Sequence, residues 1–309
     1  MASFAHGTPP ESLPVGQGQG NPPGPNCQQL VQIAIAGLAN ENIDEVRTSI
    51  NKLRNQASCP NIKSAIYPLE NIMNDNFRDY LTRRLAVQAL IAIAQALGLP
   101  QGKNAYDAVM KASRAFLIDT FADIDEVRDA IVSIKKLANN PAVLEMVEPL
   151  NQLLNNPSRY DCYTRGLSVA ALVAIAREQG LPAGEPALDA VMSALVGDPL
   201  DALRAGAASA LIDYRNPLPS VMAALEYAYL TDSSPLVHAS AYRALVILTN
   251  GAYETFGISE LSFAQGSLTP SRMPSASINC LSDELYRWVK DHVFIFNPSI
   301  KLEDFKCNP

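Results

Sequence analysis

The chain has 309 residues, 48% hydrophobic and 18% charged, the balance of a folded protein rather than a disordered one. Its net charge of −7 argues against nucleic acid as the main partner, because phosphate recognition needs a basic surface. No run of about 18 apolar residues occurs, and no basic segment followed by an apolar one opens the chain, so neither a transmembrane segment nor an intact signal peptide is expected.

Residues 1–26 are rich in Gly, Pro, Gln and Ser and offer little to bury. They are expected to form a disordered Gly/Pro-rich tail that acts as a spacer. From Cys27 to about Asn250 the pattern becomes helical. Leu85, Ala89, Leu90, Ile93, Ala94 and Leu97 share one helical stripe, and no segment shows sustained alternation of the strand type. Breakers such as Ser58-Cys59-Pro60, Gly98-Leu99-Pro100, Asn139-Asn140-Pro141 and Gly180-Leu181-Pro182 cut the run every 12–20 residues. They predict six antiparallel pairs. First helices are placed at 28–38, 63–74, 104–118, 142–154, 186–196 and 218–230. Second helices are placed at 44–57, 79–97, 125–138, 161–179, 200–214 and 236–249.

Within this run the chain repeats itself. Residues 82–112 and 164–194 are identical at 19 of 31 positions, 82 residues apart. IDEVR at 43–47 returns at 124–128, a spacing of 81. A repeat of this length is two helix pairs, and one pair cannot cover its own apolar face, so the pairs must stack.

The second helices also carry a recurrent motif. Asp201-Ala202-Leu203-Arg204 leads into Ala207, Ala208, Ala210 and Leu211. Arg83, Arg165 and Arg204 each stand seven residues before Leu90, Leu172 and Leu211, and His238 holds the same place before Leu245. Arg47 and Arg128 lie one residue out of that register. The pattern resembles HEAT repeats over residues 28–250. The resemblance implies an all-α fold, a right-handed α-solenoid of about six HEAT-like pairs of the HEAT/armadillo type. An arginine at the start of a helix is poorly placed for the helix dipole, so each is expected to pair with an acid of the next repeat.

From 251 to 309 the composition changes. A Ser/Gly/Pro-rich loop, a helix near 280–293 and an apolar C-terminal extension are expected, folding back to cap the open end of the array. Phe294–Phe296 could instead pair with another chain and support self-association.

Five cysteines are present. Cys27 and Cys59 flank the first hairpin, and Cys280 and Cys307 bracket the C-terminal region, so two disulfides are expected with Cys162 left over. We read an exported protein slightly ahead of the alternative, five reduced cysteines in the cytosol.

Signs of catalysis are few. The three histidines, His6, His238 and His292, form no cluster in sequence, although His292 shares a helix face with Trp288. No GxSxG, HExxH, P-loop or GxGxxG in strand context occurs, and the cysteines lack zinc-site spacing, so neither a cofactor nor a metal is expected. Asp107 and Asp189 are equivalent in the repeat and would lie on different repeats, too far apart for shared acid–base work.

The leading expectation is therefore a scaffold or adaptor that presents a concave helical surface to another protein. The second helices are expected to line that surface, with Arg84, Gln88, Gln95, Arg177, Tyr242 and Arg243 as contact residues. Two alternatives stand beside it. The resemblance also covers enzymes, so a lyase-type enzyme or subunit that positions a substrate protein is one. A homo-oligomeric structural protein is the other.

Overall fold

The computed structural model describes residues 26–215 and 218–250. The expected tail 1–26 (apart from Asn26), the loop, cap and extension of 251–309, and with them Cys280, Cys307, Trp288, His292 and Phe294–Phe296, lie outside the described residues. The described residues form twelve α-helices and no strand: α1 Cys27–Gly37, α2 Ile43–Asn55, α3 Ile66–Met73, α4 Tyr80–Leu97, α5 Lys103–Ile118, α6 Ile124–Lys136, α7 Val147–Leu154, α8 Cys162–Gln179, α9 Glu185–Gly197, α10 Asp201–Leu211, α11 Pro219–Thr231 and α12 Pro235–Leu248. Each odd-numbered helix packs on the following even one, and each pair packs on the next. The chain is an α-solenoid repeat protein, with six helix pairs among the described residues, as the periodicity and breakers indicate.

Local chemistry accounts for the helix limits. Asn26 belongs to α1 rather than to the tail: its side chain accepts from the Gln29 amide while the Gln29 side chain accepts from the Asn26 amide. Asp79 and Asp161 cap α4 and α8 by accepting from the Thr82 and Thr164 amides. The turn inside a pair reuses one device. Asn40, Asp75, Asp119, Asp198 and Asp232 each accept from the amide two residues on, at Asn42, Phe77, Phe121, Leu200 and Ser234.

Two expected continuous helices are divided. Residues 62–65 and 141–146 are 3₁₀ turns that lead into α3 and α7. Pro68 and Pro149 lie in the first turn of α3 and α7, where a missing amide costs nothing, but they cannot donate to a carbonyl four residues upstream. The expected helix 200–214 likewise ends at Leu211 and finishes as a 3₁₀ turn over 212–214.

The repeat is visible in the loops that join pairs. Gly98 and Gly180 have φ of +60° and +63° with ψ near 180°, a region open to glycine alone. Four residues on, a Cβ on Gly102 or Gly184 would meet the carbonyl oxygen of Ala94 or Ala176 at 2.8 Å. These two glycines are fixed by close backbone approach.

One apolar core runs through all six pairs, from Val31 in α1 to Leu248 in α12. Alanines make much of it: Ala86, Ala89 and Ala94 of α4 and Ala171, Ala174 and Ala176 of α8 are buried. Small side chains let the helices approach closely, which also leaves little room for a charged group inside the stack.

The charges that are inside form the expected ladder. Arg47 Nη2 reaches Asp79 at 2.8 Å and its Nε donates to Thr82 Oγ1 at 3.0 Å. Arg128 makes the same contacts with Asp161 and Thr164 at 2.6 and 3.0 Å. Arg83 pairs with Glu126 of α6. Arg165 pairs with Asp198 and donates to the Leu154 carbonyl at 2.7 Å. Arg204 grips Asp232 through two bonds of 2.6 and 2.8 Å. Each of these five carboxylates belongs to the next pair, while Arg47 and Arg128 also reach Asp44 and Asp125 of their own helices at 3.3 and 3.2 Å. Arg47 and Arg128, which fall out of the sequence register, are full members of the ladder because they meet a helix N-cap instead of a helix end. His238 closes it by bonding to the Asp232 carbonyl.

The rungs differ in burial, and that sets their weight. Arg165 and Asp198 are 3% and 4% exposed, whereas Asp79 is 42% exposed. Replacing Arg165 with alanine leaves Asp198 buried and unpaired, and is expected to cost about 3–5 kcal/mol. Arg47→Ala, which removes a half-buried guanidinium from an exposed carboxylate, is expected to cost about 1 kcal/mol or less. Urea unfolding followed by circular dichroism measures both, and equal losses would contradict the burial argument.

The ladder also predicts acid sensitivity. Burial alone would raise the Asp79 carboxyl, but hydrogen bonds from Thr82 and Arg47 overcome it and hold the group at about 2. Asp161 and Asp232 are lowered in the same way by Thr164 and Arg128, and by Arg204 and the Ser234 amide. A depressed carboxyl stabilises the fold above its unfolded value near 4 and loses that contribution as pH falls toward 2. The melting temperature should therefore drop between about pH 4 and pH 2. Asp79→Asn should be less stable than wild type at pH 7 and converge on it at the acid end; a constant offset would contradict this.

Candidate functional site

Second helices pack on second helices along the stack, but not evenly. α2 packs closely on α4, α6 on α8, α8 on α10 and α10 on α12, whereas α4 and α6 touch sparsely. A cleft of about 90 Å³ opens between them.

Side-chain size explains the difference. Tyr80, Arg84 and Gln88 of α4 correspond, 82 residues on, to Cys162, Gly166 and Ala170 of α8. Asp125 and Arg128 of α6 match Asp201 and Arg204 of α10, which sets Asp129 and Val132 against Ala205 and Ala208. At the α8/α10 junction small residues meet small residues, and Gly166, Ala202 and Ala205 are buried. At the α4/α6 junction large polar side chains prop the helices apart.

The cleft has an apolar floor and a charged rim. Val87 and Ile91 of α4, Val109, Ala112 and Phe116 of α5 and Val132 of α6 line the floor. On the rim Arg84 Nε meets Asp129 Oδ2 at 2.8 Å, and the Tyr80 hydroxyl donates to the same oxygen. Arg83 pairs with Glu126 beside them, and its Nε is buried without a hydrogen-bond partner. Lys136 stands at the far end, where its carbonyl accepts from Gln95 Nε2 at 3.0 Å.

The Tyr80 hydroxyl of this rim is held in its protonated form. Burial, then the hydrogen bond to Asp129, raises the Tyr80 phenol well above its usual value. Cys162, at the matching place in the next unit, is pushed up to about 12 mainly by burial. Neither group is poised as a nucleophile near neutral pH.

Of the six contact residues expected from sequence, the structure brings two into the cleft. Arg84 and Gln88 line it, and Gln88 Oε1 also accepts from Arg54 of α2 at 3.0 Å. Gln95 is exposed at its edge. Arg177 is exposed on α8 and paired with Glu178. Tyr242 and Arg243 are half-buried on α12, with the Tyr242 ring 5.4 Å from that of Tyr229. Asp107 pairs with Lys103 on the outside of α5, and Asp189 is exposed on α9. Tyr80, Glu126, Asp129 and Lys136 were not anticipated. Comparing the two repeat units for size rather than identity would have singled out the junction.

No protein-family model matches the chain, and no curated protein matches it. Solved structures similar to it include an engineered protein, structural-genomics target OR329, 21% identical over 72% of this chain and 97% of that one, with a TM-score of 0.45. A designed armadillo repeat protein in complex with the peptide (KR)4 is 18% identical over 71% of this chain and 99% of that one, TM-score 0.44. Human deoxyhypusine hydroxylase is 16% identical over 71% of this chain and 84% of that one, TM-score 0.36. Superpositions this loose say nothing of what this chain binds.

The Tyr80 shift gives a direct check. A raised phenol stays protonated above its ordinary value near 10, and the stability it contributes is kept up to that value and lost at higher pH. Alkaline absorbance titration of wild type minus Tyr80→Phe should show no phenolate from Tyr80 up to about pH 11. A normal transition near 10 would mean that the bond to Asp129 is not formed.

Proposed function

We propose that the chain is a protein-binding scaffold whose face of second helices holds a segment of another protein, anchored in the α4/α6 cleft. The observation that carries this reading is the cleft itself, where apolar floor and paired charges coincide at the one junction between second helices, among the described residues, that is held open. Apolar depressions with a few fixed polar groups are the usual form of a binding site. Arg83, Arg84, Glu126 and Asp129 of the rim are already committed to one another, which suits recognition better than chemistry.

A photo-reactive amino acid at position 95, beside the cleft, and another at position 63, on the side of α3 and α5, test this in extracts of the native source. The same identified partner should crosslink from position 95 in wild type and be lost when Ala112→Leu fills the floor. Crosslinking from position 63 alone would overturn the reading.

We further propose an oxidising compartment. A Cys27–Cys59 disulfide ties α1 to the end of the first pair across 32 residues of chain. Closing such a loop contributes roughly 3–4 kcal/mol through the unfolded state. The pairing of Cys280 with Cys307 is part of the same proposal. Thiol counting in denaturant should then find Cys162 alone; five free thiols in material kept from reductant would contradict it.

A further inference from the structure

The cleft has an imbalance of charge that bears on what fills it. Three cations line it, Arg83, Arg84 and Lys136, against two anions, Glu126 and Asp129. Both anions are spoken for, Glu126 by Arg83 and Asp129 by Arg84 and Tyr80. Lys136 is exposed, and among the described residues its ammonium makes no ion pair or hydrogen bond. Nearby, Arg54 of α2 spends its guanidinium on the neutral Gln88. The rim therefore carries net positive charge on a protein whose overall charge is −7. A local reversal of sign around an apolar depression selects partners of the opposite charge.

The floor limits the apolar part of the occupant. An engineered apolar cavity of about 150 Å³ holds benzene. This one measures about 90 Å³, which suits a branched aliphatic group and is too small to enclose an indole or phenol. The length of the site also matters. The cleft follows α6 from Glu126 to Lys136. At 1.5 Å per residue that is roughly 15 Å, room for four or five residues of extended chain.

On the reading of the chain as a protein-binding scaffold, we propose that the α4/α6 cleft recognises an acidic peptide segment: one aliphatic side chain enters the floor between Val87 and Ala112, and a neighbouring carboxylate pairs with Lys136. The buried Arg83 Nε adds a donor without an acceptor at the same rim. The aliphatic group supplies affinity through burial, and the carboxylate supplies choice of partner, since a lysine in its place would meet Lys136 and Arg84.

Fluorescence anisotropy of the full chain with three labelled hexapeptides tests this. The first has a leucine flanked by glutamates, the second the same leucine flanked by lysines, and the third an alanine flanked by glutamates. The first should bind at least tenfold more tightly than either of the others. Lys136→Glu changes an exposed side chain, and should shift the preference toward the lysine peptide. Ala112→Leu should abolish binding of all three, with the helical circular dichroism unchanged. Equal binding of the glutamate and lysine peptides, or a preference untouched by Lys136→Glu, overturns the inference. So does the absence of binding by all three peptides. Either result leaves the scaffold reading to the crosslinks from position 95, which depend on the native partner and on no chosen peptide.

Discussion

A guanidinium within the first two turns of a helix sits toward the positive end of that helix's dipole, so its charge must be met from elsewhere. Here it is met from the next helix pair at every rung, Arg47 to Asp79, Arg83 to Glu126, Arg128 to Asp161, Arg165 to Asp198 and Arg204 to Asp232. The stack depends on this arrangement twice. Apolar burial is non-directional and would tolerate slippage of one pair along another, whereas a bidentate or capped ion pair has a single geometry. The acid that receives each charge is also a helix cap or lies within the first turn or end of a helix, so the contact that joins two repeats helps to define the helix it joins.

The rungs are not equivalent, and their differences follow the repeat. Arg47 and Arg128 stand 81 residues apart and bind N-cap residues 82 apart, because the connection before α8 runs over 155–161 and that before α4 over 74–79. One inserted residue is absorbed in a loop, and the side-chain contact survives it. Arg83 and Arg165 are exact counterparts in sequence but part company in space. Arg165 turns to the end of α9 and is buried there, while Arg83 reaches across to Glu126 on α6. That divergence coincides with the junction where α4 and α6 separate. The cleft is thus a local consequence of side-chain volume at one rung: Arg84 and Gln88 where the next unit has Gly166 and Ala170.

Most of the architecture was legible in the amino-acid sequence because it rests on local signals. Gly98-Leu99-Pro100 and Gly180-Leu181-Pro182 mark helix ends by backbone chemistry alone, and nine of the twelve helices of the described residues fall within two residues of the expected limits. The divisions before α3 and α7 were less visible, since Pro68 and Pro149 are compatible with a helix start and only the missing donor upstream forces the 3₁₀ turn. The site was harder to read for a different reason. Exposure on a second helix identifies Arg84 and Gln88, but equally Arg177, which meets only its neighbour Glu178. What separates them is the distance between helices, and that depends on the side chains of both helices at once. Asp129 and Lys136 on α6 matter only because α4 is held away from them.

The central claim is that side-chain volume opens a binding cleft in one repeat unit and closes it in the other, and the chain contains its own control. Val87, Ile91, Val109 and Ala112 line the cleft, and Val169, Val173, Val191 and Ala194 hold the corresponding places 82 residues on. Xenon enters small apolar cavities and shifts the methyl groups that line them. Methyl-resolved nuclear magnetic resonance under xenon pressure should therefore shift the first four methyl-bearing residues and leave the second four in place. Equal shifts in both sets, or none in either, would contradict the account.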